Sequence, residues 1–112
     1  MHKTTDNETI KVGEFGVRFL VEAADSNGSA SVFECYVPAD SRMPMPHSHD
    51  GFEETIYGLE GTLVWTVEGH AHEVGHGDAL CIPRGAIHQF ANVGDLNAKS
   101  LAIVTPGILG PD

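Results

Sequence analysis

Short stretches of alternating hydrophobic and polar residues run through the chain and predict β-strands. The clearest is Thr62–Val67, where threonine alternates with bulky apolar or aromatic residues and β-branched side chains are frequent. Four other segments are apolar or β-branched and end at turn residues: 16–22, 31–37, 78–82 and 98–105. No window of about 11 residues carries the apolar stripe of an amphipathic helix, so we expect little helix.

Glycine-containing turns separate these segments at a regular interval. They occur at Asp50-Gly51, Glu60-Gly61, Glu68-Gly69, His76-Gly77, Arg84-Gly85 and Gly94-Asp95. Successive glycines lie 10, 8, 8, 8 and 9 residues apart, which is typical of short antiparallel strands in a sandwich or barrel. The prediction is an all-β, antiparallel fold. The length of 112 residues suits one domain, which we expect to span residues 1–112.

The charge balance limits the possible partners. Sixteen acidic residues against six basic ones give a formal net charge of −10, and the basic residues form no cluster. A phosphate backbone would be repelled, so nucleic acid is not an expected partner. The ordinary reason for such acidity is solubility.

No hydrophobic stretch approaches the roughly 20 residues needed to cross a bilayer. The first eleven residues are polar and lack the apolar segment of a signal peptide. We therefore expect no membrane association and, by default, a cytoplasmic location. The ending 108–112 follows an apolar pair abruptly, and a natural terminus and a truncation both remain open.

The two cysteines, Cys35 and Cys81, lie in separate apolar segments. Neither belongs to a Cys-x-x-Cys pair or another recognised cysteine motif. We expect two buried free thiols, as is usual in a reducing compartment.

Histidines and one carboxylate supply the candidate chemistry. His47-Ser48-His49 is a His-x-His sequence, and alternate residues of an extended strand share one face, so both imidazoles can point the same way. Glu54 and His88 each follow a glycine turn. Taken singly, these residues have ordinary structural explanations. A second His-x-His, His70-Ala71-His72, is expected to be a solvated hairpin.

Together with nearby glycines and prolines, however, the same residues match a known pattern. Residues 47–61 read HxHxxxxExxxxxxG and residues 77–92 read GxxxxxPxGxxHxxxN, where x is any residue. Both stretches resemble the two conserved motifs of the cupin superfamily, and all nine fixed positions agree in spacing. The glycine that usually precedes the His-x-His is absent, since position 41 is serine. The resemblance implies a small single-domain cupin with an antiparallel jelly-roll β-barrel, often paired into a homodimer.

The resemblance also implies a ligand set for one divalent transition metal. The expected ligands are His47, His49, Glu54 and His88. Glu53 is the rival to Glu54, because the spacing within the first motif varies between family members. Six residues separate Glu54 from Gly61, as in the motif, and adjacent strand residues face opposite ways, so only one of the two glutamates can be a ligand.

Three imidazoles and one carboxylate suit Fe, Mn, Ni, Zn, Co or Cu better than Ca or Mg. Four protein ligands leave positions open for substrate on an octahedral ion, which favours chemistry over a purely structural site. Ile56 and Phe90 share strand parity with Glu54 and His88, so both are expected to line the pocket. Further candidates for its wall or rim are Phe52, Tyr57, Trp65, Met43 and Met45. Asn92 is expected to satisfy backbone groups at a strand end.

These observations leave several functions open. The first is a metal-dependent oxidoreductase, most simply a dioxygenase, acting on a small organic substrate. In it Glu54 is also the candidate catalytic residue, which accepts a substrate proton when it is free of the metal. A metal-dependent isomerase, decarboxylase or lyase is the second. A non-catalytic module that binds or senses a small ligand is the third, and a purely structural metal clip ranks last.

Overall fold

Ten β-strands and one turn of 3-10 helix are formed by residues 8–43 and 45–107, the part of the chain that the computed structural model describes. The strands are β1 Ile10–Val12, β2 Phe15–Val21, β3 Ser31–Val37, β4 Ser41–Arg42, β5 Glu53–Glu60, β6 Leu63–Val67, β7 His70–Val74, β8 Ala79–Ile82, β9 His88–Asn92 and β10 Ala98–Thr105. The 3-10 turn is Ala23–Ser26. The ending 108–112 lies outside the described residues.

The sequence pattern predicted five of these ten strands. β3 and β10 have the predicted limits, while β2, β6 and β8 each differ by one residue at one or both ends. Every strand pair is antiparallel, which confirms the predicted all-β antiparallel class. The low helix content is also confirmed within the described residues. None of their helices has the length and apolarity needed to cross a membrane.

The strands form two sheets that enclose the core. One has six strands in the order β1-β2-β3-β10-β5-β8, and the other has four in the order β4-β9-β6-β7. Both sheets contribute buried side chains, among them Ile56 from the larger sheet and Trp65 and Phe90 from the smaller. The core therefore lies between the sheets, as in other two-layer β-folds.

β10 lies at the centre of the larger sheet, between β3 and β5. Its buried positions alternate with half-buried ones, as expected for a strand with one face turned to the core. Its buried residues are Ala98, Ser100, Ala102 and Val104. Most of them are small, so this face of the sheet leaves space in the interior.

The two-residue turn between β6 and β7 shows how glycine sets the strand register. Val67 pairs with His70, and the intervening Glu68 and Gly69 have φ angles of 48° and 81°. Positive φ at both positions belongs to the turns that match the twist of a hairpin. His70 and His72 are exposed on β7, which confirms the solvated hairpin.

Both cysteines are free, as predicted, but their burial differs from the prediction. Cys35 is partly buried, whereas Cys81 is exposed. β8 is the edge strand of its sheet, and the inward position next to Cys81 is taken by Ile82, which is buried. Adjacent strand residues face opposite ways, so Cys81 is turned outward. The expectation that both thiols are buried was wrong for Cys81.

Candidate metal centre

Three side chains from separate segments converge between the sheets. Glu54 is the second residue of β5, His88 is the first residue of β9, and His49 lies in the loop between β4 and β5. One potential ligand atom from each of these three lies within 4.8 Å of the other two. The Nε2 atom of His88 is 4.0 Å from Oε1 of Glu54. This spacing leaves room for an ion among the three groups.

A backbone carbonyl fixes the orientation of the His88 ring. Its Nδ1 atom lies 3.0 Å from the carbonyl oxygen of Ala86, and a carbonyl oxygen can only accept a hydrogen bond. Nδ1 therefore carries the proton, and in the neutral ring Nε2 has a free lone pair facing Glu54. A hydrogen bond of this kind commonly orients a metal-binding histidine.

His49 is held against an aromatic ring. Its imidazole stacks on Phe52 with a centroid distance of 4.5 Å and an interplanar angle of 23°, and it lies 5.4 Å from the ring of His88. Burial, together with the neighbouring imidazoles of His88 and His47, lowers the pKa of His49. The neutral ring that a metal requires is therefore favoured.

Glu54 is enclosed by the larger sheet. It pairs with Val104 of β10 on one side and Ile82 of β8 on the other. Burial raises the pKa of Glu54 to about 7. Within the described part of the chain, no hydrogen-bond donor contacts its carboxylate. A bound cation would favour the ionised form.

His47 is placed beside this group but is not part of it. Its backbone forms two reciprocal hydrogen bonds of 2.8 Å with His88, so both side chains leave the same face of the pair. The ring centroids of His47 and His49 are 6.3 Å apart, and His47 is exposed. The structure thus brings together three of the four expected ligands, and the fourth borders the same cavity.

The turn between β8 and β9 shapes this region. Pro83 and Ala86 close a turn through a 3.2 Å backbone hydrogen bond, and Gly85 within it has a φ angle of 77°. The Gly85 amide donates to the carbonyl of His49 at 2.7 Å, which ties the two ligand-bearing loops together. The turn therefore fixes His49 and the start of β9 relative to each other.

Asn92 satisfies backbone groups, as predicted. Its side-chain amide donates to the carbonyls of Val37 at 3.2 Å and Leu96 at 2.8 Å, and its oxygen accepts from the Gly94 amide at 3.1 Å. The residue is almost wholly buried. Asn92 is thus a structural residue at the far end of β9.

Glu53 points away from the three converging groups. Its carboxylate lies 3.5 Å from the guanidinium of Arg84, and both side chains are about half exposed. Glu54, its neighbour, faces the interior. The parity argument that separated the two glutamates therefore matches their positions.

A cavity of about 600 Å³ opens beside the converging groups. Ile56 and Phe90 line it, together with His47, His49, Glu54 and His88. Of the further candidates, Phe52, Trp65 and Met43 also line it, whereas Tyr57 and Met45 do not. Tyr57 has the opposite parity to Ile56 and is 39% exposed, and Met45 is 66% exposed.

Sequence reasoning missed the opposite wall of the cavity. Its lining also includes Phe15, Val17, Phe33, Cys35 and Ser100, from β2, β3 and β10. Each has the inward parity of its strand, but parity alone does not show which face is inward. The cross-strand pairing of Cys35 with Ser100 supplies that information.

The three converging groups fit a transition-metal ion. Two imidazole nitrogens and one carboxylate oxygen form a donor set that suits Fe, Mn, Co, Ni, Cu or Zn, while Ca and Mg prefer oxygen ligands throughout. The fit is supported by the free Nε2 of His88 and the buried carboxylate of Glu54. The group could therefore hold a metal ion at the wall of an apolar cavity.

The chain is also similar to known proteins. The family described as "Cupin domain" matches residues 32–104. An uncharacterized protein of Methanocaldococcus jannaschii is 34% identical over 76 residues, which are 68% of this chain and 60% of that protein. Quercetin 2,3-dioxygenase of Bacillus subtilis is 23% identical over 106 residues, which are 95% of this chain but 31% of that enzyme. The chain thus spans less than two thirds of either relative.

A solved structure gives a similar result. The polyketide cyclase RemF from Streptomyces resistomycificus superposes with a TM-score of 0.79 and 28% sequence identity. The match covers 100% of this chain and 89% of the cyclase. The similarity therefore extends over both sheets and the loops that carry the converging histidines.

Proposed function

We propose that this chain, which belongs to the cupin family, is a metal-dependent enzyme that oxidises a hydrophobic small organic molecule with O2. The observation that carries the proposal is the position of His49, Glu54 and His88 at the wall of a largely apolar cavity. A reactive centre that opens onto such a cavity serves chemistry on a bound molecule, whereas a structural metal site is normally closed.

The proposed ligands are His49, Glu54 and His88, with His47 as the fourth. His47 would complete the set by a change of side-chain rotamer, because its backbone is already fixed to that of His88. A bound divalent metal would supply Lewis-acid polarisation or O2 activation. The ligand set leaves roughly one positive charge, which favours a substrate that binds as an enolate or phenolate.

The chain's own residues would perform three tasks. The apolar wall, which includes Phe52, Trp65 and Phe90, excludes water and holds the substrate. The hydrogen bond from His88 Nδ1 to Ala86 keeps Nε2 directed at the reacting region. Glu54 is the candidate acceptor of the substrate proton when it is free of the metal, since its carboxylate borders the cavity beside His88.

Dioxygenation is the first candidate reaction because the match to quercetin 2,3-dioxygenase extends over 95% of this chain. Cyclisation is a second candidate, supported by the 28% identity with a polyketide cyclase over the whole chain. The two differ in their use of O2, since a cyclisation proceeds without it. Both are compatible with a hydrophobic cavity and a metal that binds an enolate.

The test begins with the protein purified without added metal, whose bound ion is identified by elemental analysis. Oxygen uptake is then followed with flavonols, catechols and β-diketones, and products are analysed by mass spectrometry under isotopically labelled oxygen gas. We expect substrate-dependent uptake and labelled product. Product without uptake or label would reassign the reaction to cyclisation or isomerisation.

Two further results would contradict the proposal of an enzyme. Stoichiometric zinc with tight flavonol binding and no turnover would indicate a module that binds a small ligand. A protein that binds no transition metal, even when reconstituted with Fe, Mn, Co, Ni, Cu or Zn, would remove the basis for metal-dependent chemistry altogether.

A further inference from the structure

Ser100 is a buried polar residue of β10. It is 3% exposed, and none of the hydrogen bonds among the described residues involves its hydroxyl. By contrast, the hydroxyl of Ser41 donates to the Pro38 carbonyl at 2.7 Å, and the amide of Asn92 is fully engaged. A hydroxyl that has no protein partner and borders a cavity is available to hydrogen-bond a molecule bound there.

The position of Ser100 makes its hydroxyl accessible to a bound molecule, because the residue lines the cavity. Ser31 makes the comparison clear: it is fully buried, its hydroxyl is also unpaired, and it does not line the cavity. Ser31 is therefore closed off from any ligand, whereas Ser100 is placed where a bound molecule could supply the missing partner.

The strand register fixes how far Ser100 lies from the metal-binding group. Val104 pairs with Glu54, and Ser100 lies four residues earlier on β10, opposite Cys35 of β3. At about 3.3 Å per residue, four residues correspond to about 13 Å along the strand. Between them, Ala102 presents only a methyl group to the cavity. The wall therefore has the metal-binding group at one end, the hydroxyl of Ser100 at the other, and an apolar surface between them.

We propose that Ser100 is a specificity-determining residue whose hydroxyl binds an oxygen substituent at the end of the substrate remote from His49, Glu54 and His88. The inference rests on the proposed function and narrows its substrate class. The substrate is an apolar molecule with an enol or phenol oxygen at one end and a hydroxyl at the other, and a flavonol serves as a probe with this arrangement. The small side chains of β10 provide the space for its rings.

The test uses two probes that differ by one hydroxyl group, 3-hydroxyflavone and 3,4′-dihydroxyflavone. Their affinities are measured by isothermal titration calorimetry under anaerobic conditions, on metal-containing protein of known metal content. We expect the wild type to bind the dihydroxy compound about three- to tenfold more tightly, which corresponds to one neutral hydrogen bond. Ser100→Ala should reduce this ratio to about one.

Two other variants serve as controls. Ser31→Ala removes a buried, unpaired hydroxyl outside the cavity and should leave the ratio at its wild-type value. Ser100→Cys keeps the side-chain volume with a weaker donor and should give an intermediate ratio. Far-ultraviolet circular dichroism and the metal content of each variant show whether it is folded and loaded.

An equal ratio in the wild type and Ser100→Ala would overturn the assignment of Ser100 and leave the proposed metal chemistry standing. Failure of the metal-containing wild type to bind either flavonol would overturn the substrate class. The proposed function fails by a different measurement, the absence of bound metal or of turnover, so the two failures are distinguishable.

Discussion

Glu53 and Glu54 are neighbours in β5, yet their carboxylates lie in opposite environments. Glu53 faces Arg84 at 3.5 Å on the outer surface, whereas Glu54 faces His88 at 4.0 Å in the interior. The alternation of side chains along a strand is sufficient to produce this difference. The pair therefore provides a matched experiment, in which the same chemical change is made one residue apart.

We predict that Glu54→Gln weakens the affinity for the metal at least tenfold and lowers the metal content of the purified protein. The change replaces the one negatively charged group in the cluster by a weak ligand. Glu53→Gln should leave metal content unchanged. The measurement is elemental analysis together with competition against a chelator. Equal losses in both variants would show that the effect is general and not due to ligation.

The two His-x-His sequences provide a second matched pair. His49→Ala should abolish most metal binding, because His49 is one of the three converging groups. His72→Ala should retain the metal, because His72 is exposed on β7. Both proteins are purified in parallel and their metal-to-protein ratio is measured. Retention of metal by His49→Ala would refute its assignment as a ligand.

Gly61 and Gly69 distinguish two reasons why a position requires glycine, a positive φ angle and a lack of space for a Cβ atom. Both have positive φ, 66° and 81°, but a Cβ on Gly61 would lie 2.6 Å from the Asn97 carbonyl oxygen, while a Cβ on Gly69 meets nothing within 4 Å. We expect Gly69→Ala to cost about 1 kcal/mol in the free energy of unfolding from its φ angle alone. Gly61→Ala should cost about 1–3 kcal/mol more because of the clash. Urea unfolding of both variants gives the difference, and similar costs would exclude a role for the clash.

The two thiols should react at very different rates. Cys81 is exposed, whereas burial, with a smaller contribution from the charge of Glu54, raises the pKa of Cys35 to about 11. Thiolate is the reactive form, so Cys35 is almost entirely unreactive near neutral pH. We predict one fast and one slow phase with a thiol reagent in the native protein. Cys81→Ser should remove the fast phase, and its persistence would contradict the assignment.

The carboxylate of Glu34 should make stability depend on pH. Burial acts to raise the pKa of Glu34, but hydrogen bonds from Tyr36 and Arg18 and the charge of Lys99 outweigh it and hold the pKa below the usual 4.5. The folded state thus favours the ionised form, which stabilises the protein above pH 4.5. This contribution is lost as the pH falls below 4.5 through the pKa of the folded state.

Unfolding by urea at about pH 7 and about pH 3 tests this expectation. Glu34→Gln should be less stable than the wild type at the higher pH and nearly equal to it at the lower. Glu73→Gln, a change at an exposed position of β7, should show no such pH dependence. A constant difference between the wild type and Glu34→Gln across both conditions would contradict the prediction.

Much of the fold could be predicted from the sequence, because the patterns that indicate it lie within short segments. Alternation along each strand and a glycine every eight to ten residues predicted the antiparallel all-β class, and two spaced motifs predicted the cupin jelly roll. The family match and the superposition with a TM-score of 0.79 confirm both. The homodimer stays a prediction.

The sequence predicted only part of the site, because strand pairing decides which residues form the opposite wall of the cavity. Strand parity separated Glu54 from Glu53 and pointed to Ile56 and Phe90, which line the cavity. The opposite wall, with Phe33 and Ser100, requires knowing that β10 lies between β3 and β5. Nothing in one segment encodes that order. The burial of Cys81 was mispredicted for the same reason, because an edge strand and a central strand look alike in sequence.

The small side chains of β10 have a consequence for how such a protein can diversify. The strand is held on both sides by backbone hydrogen bonds to β3 and β5, and these bonds involve no side chain. Exchanging alanine or serine on this strand for a larger residue would reduce the space in the cavity. Substitutions on β10 can therefore change the length of the molecule that the cavity admits, while His49, Glu54 and His88 stay the same.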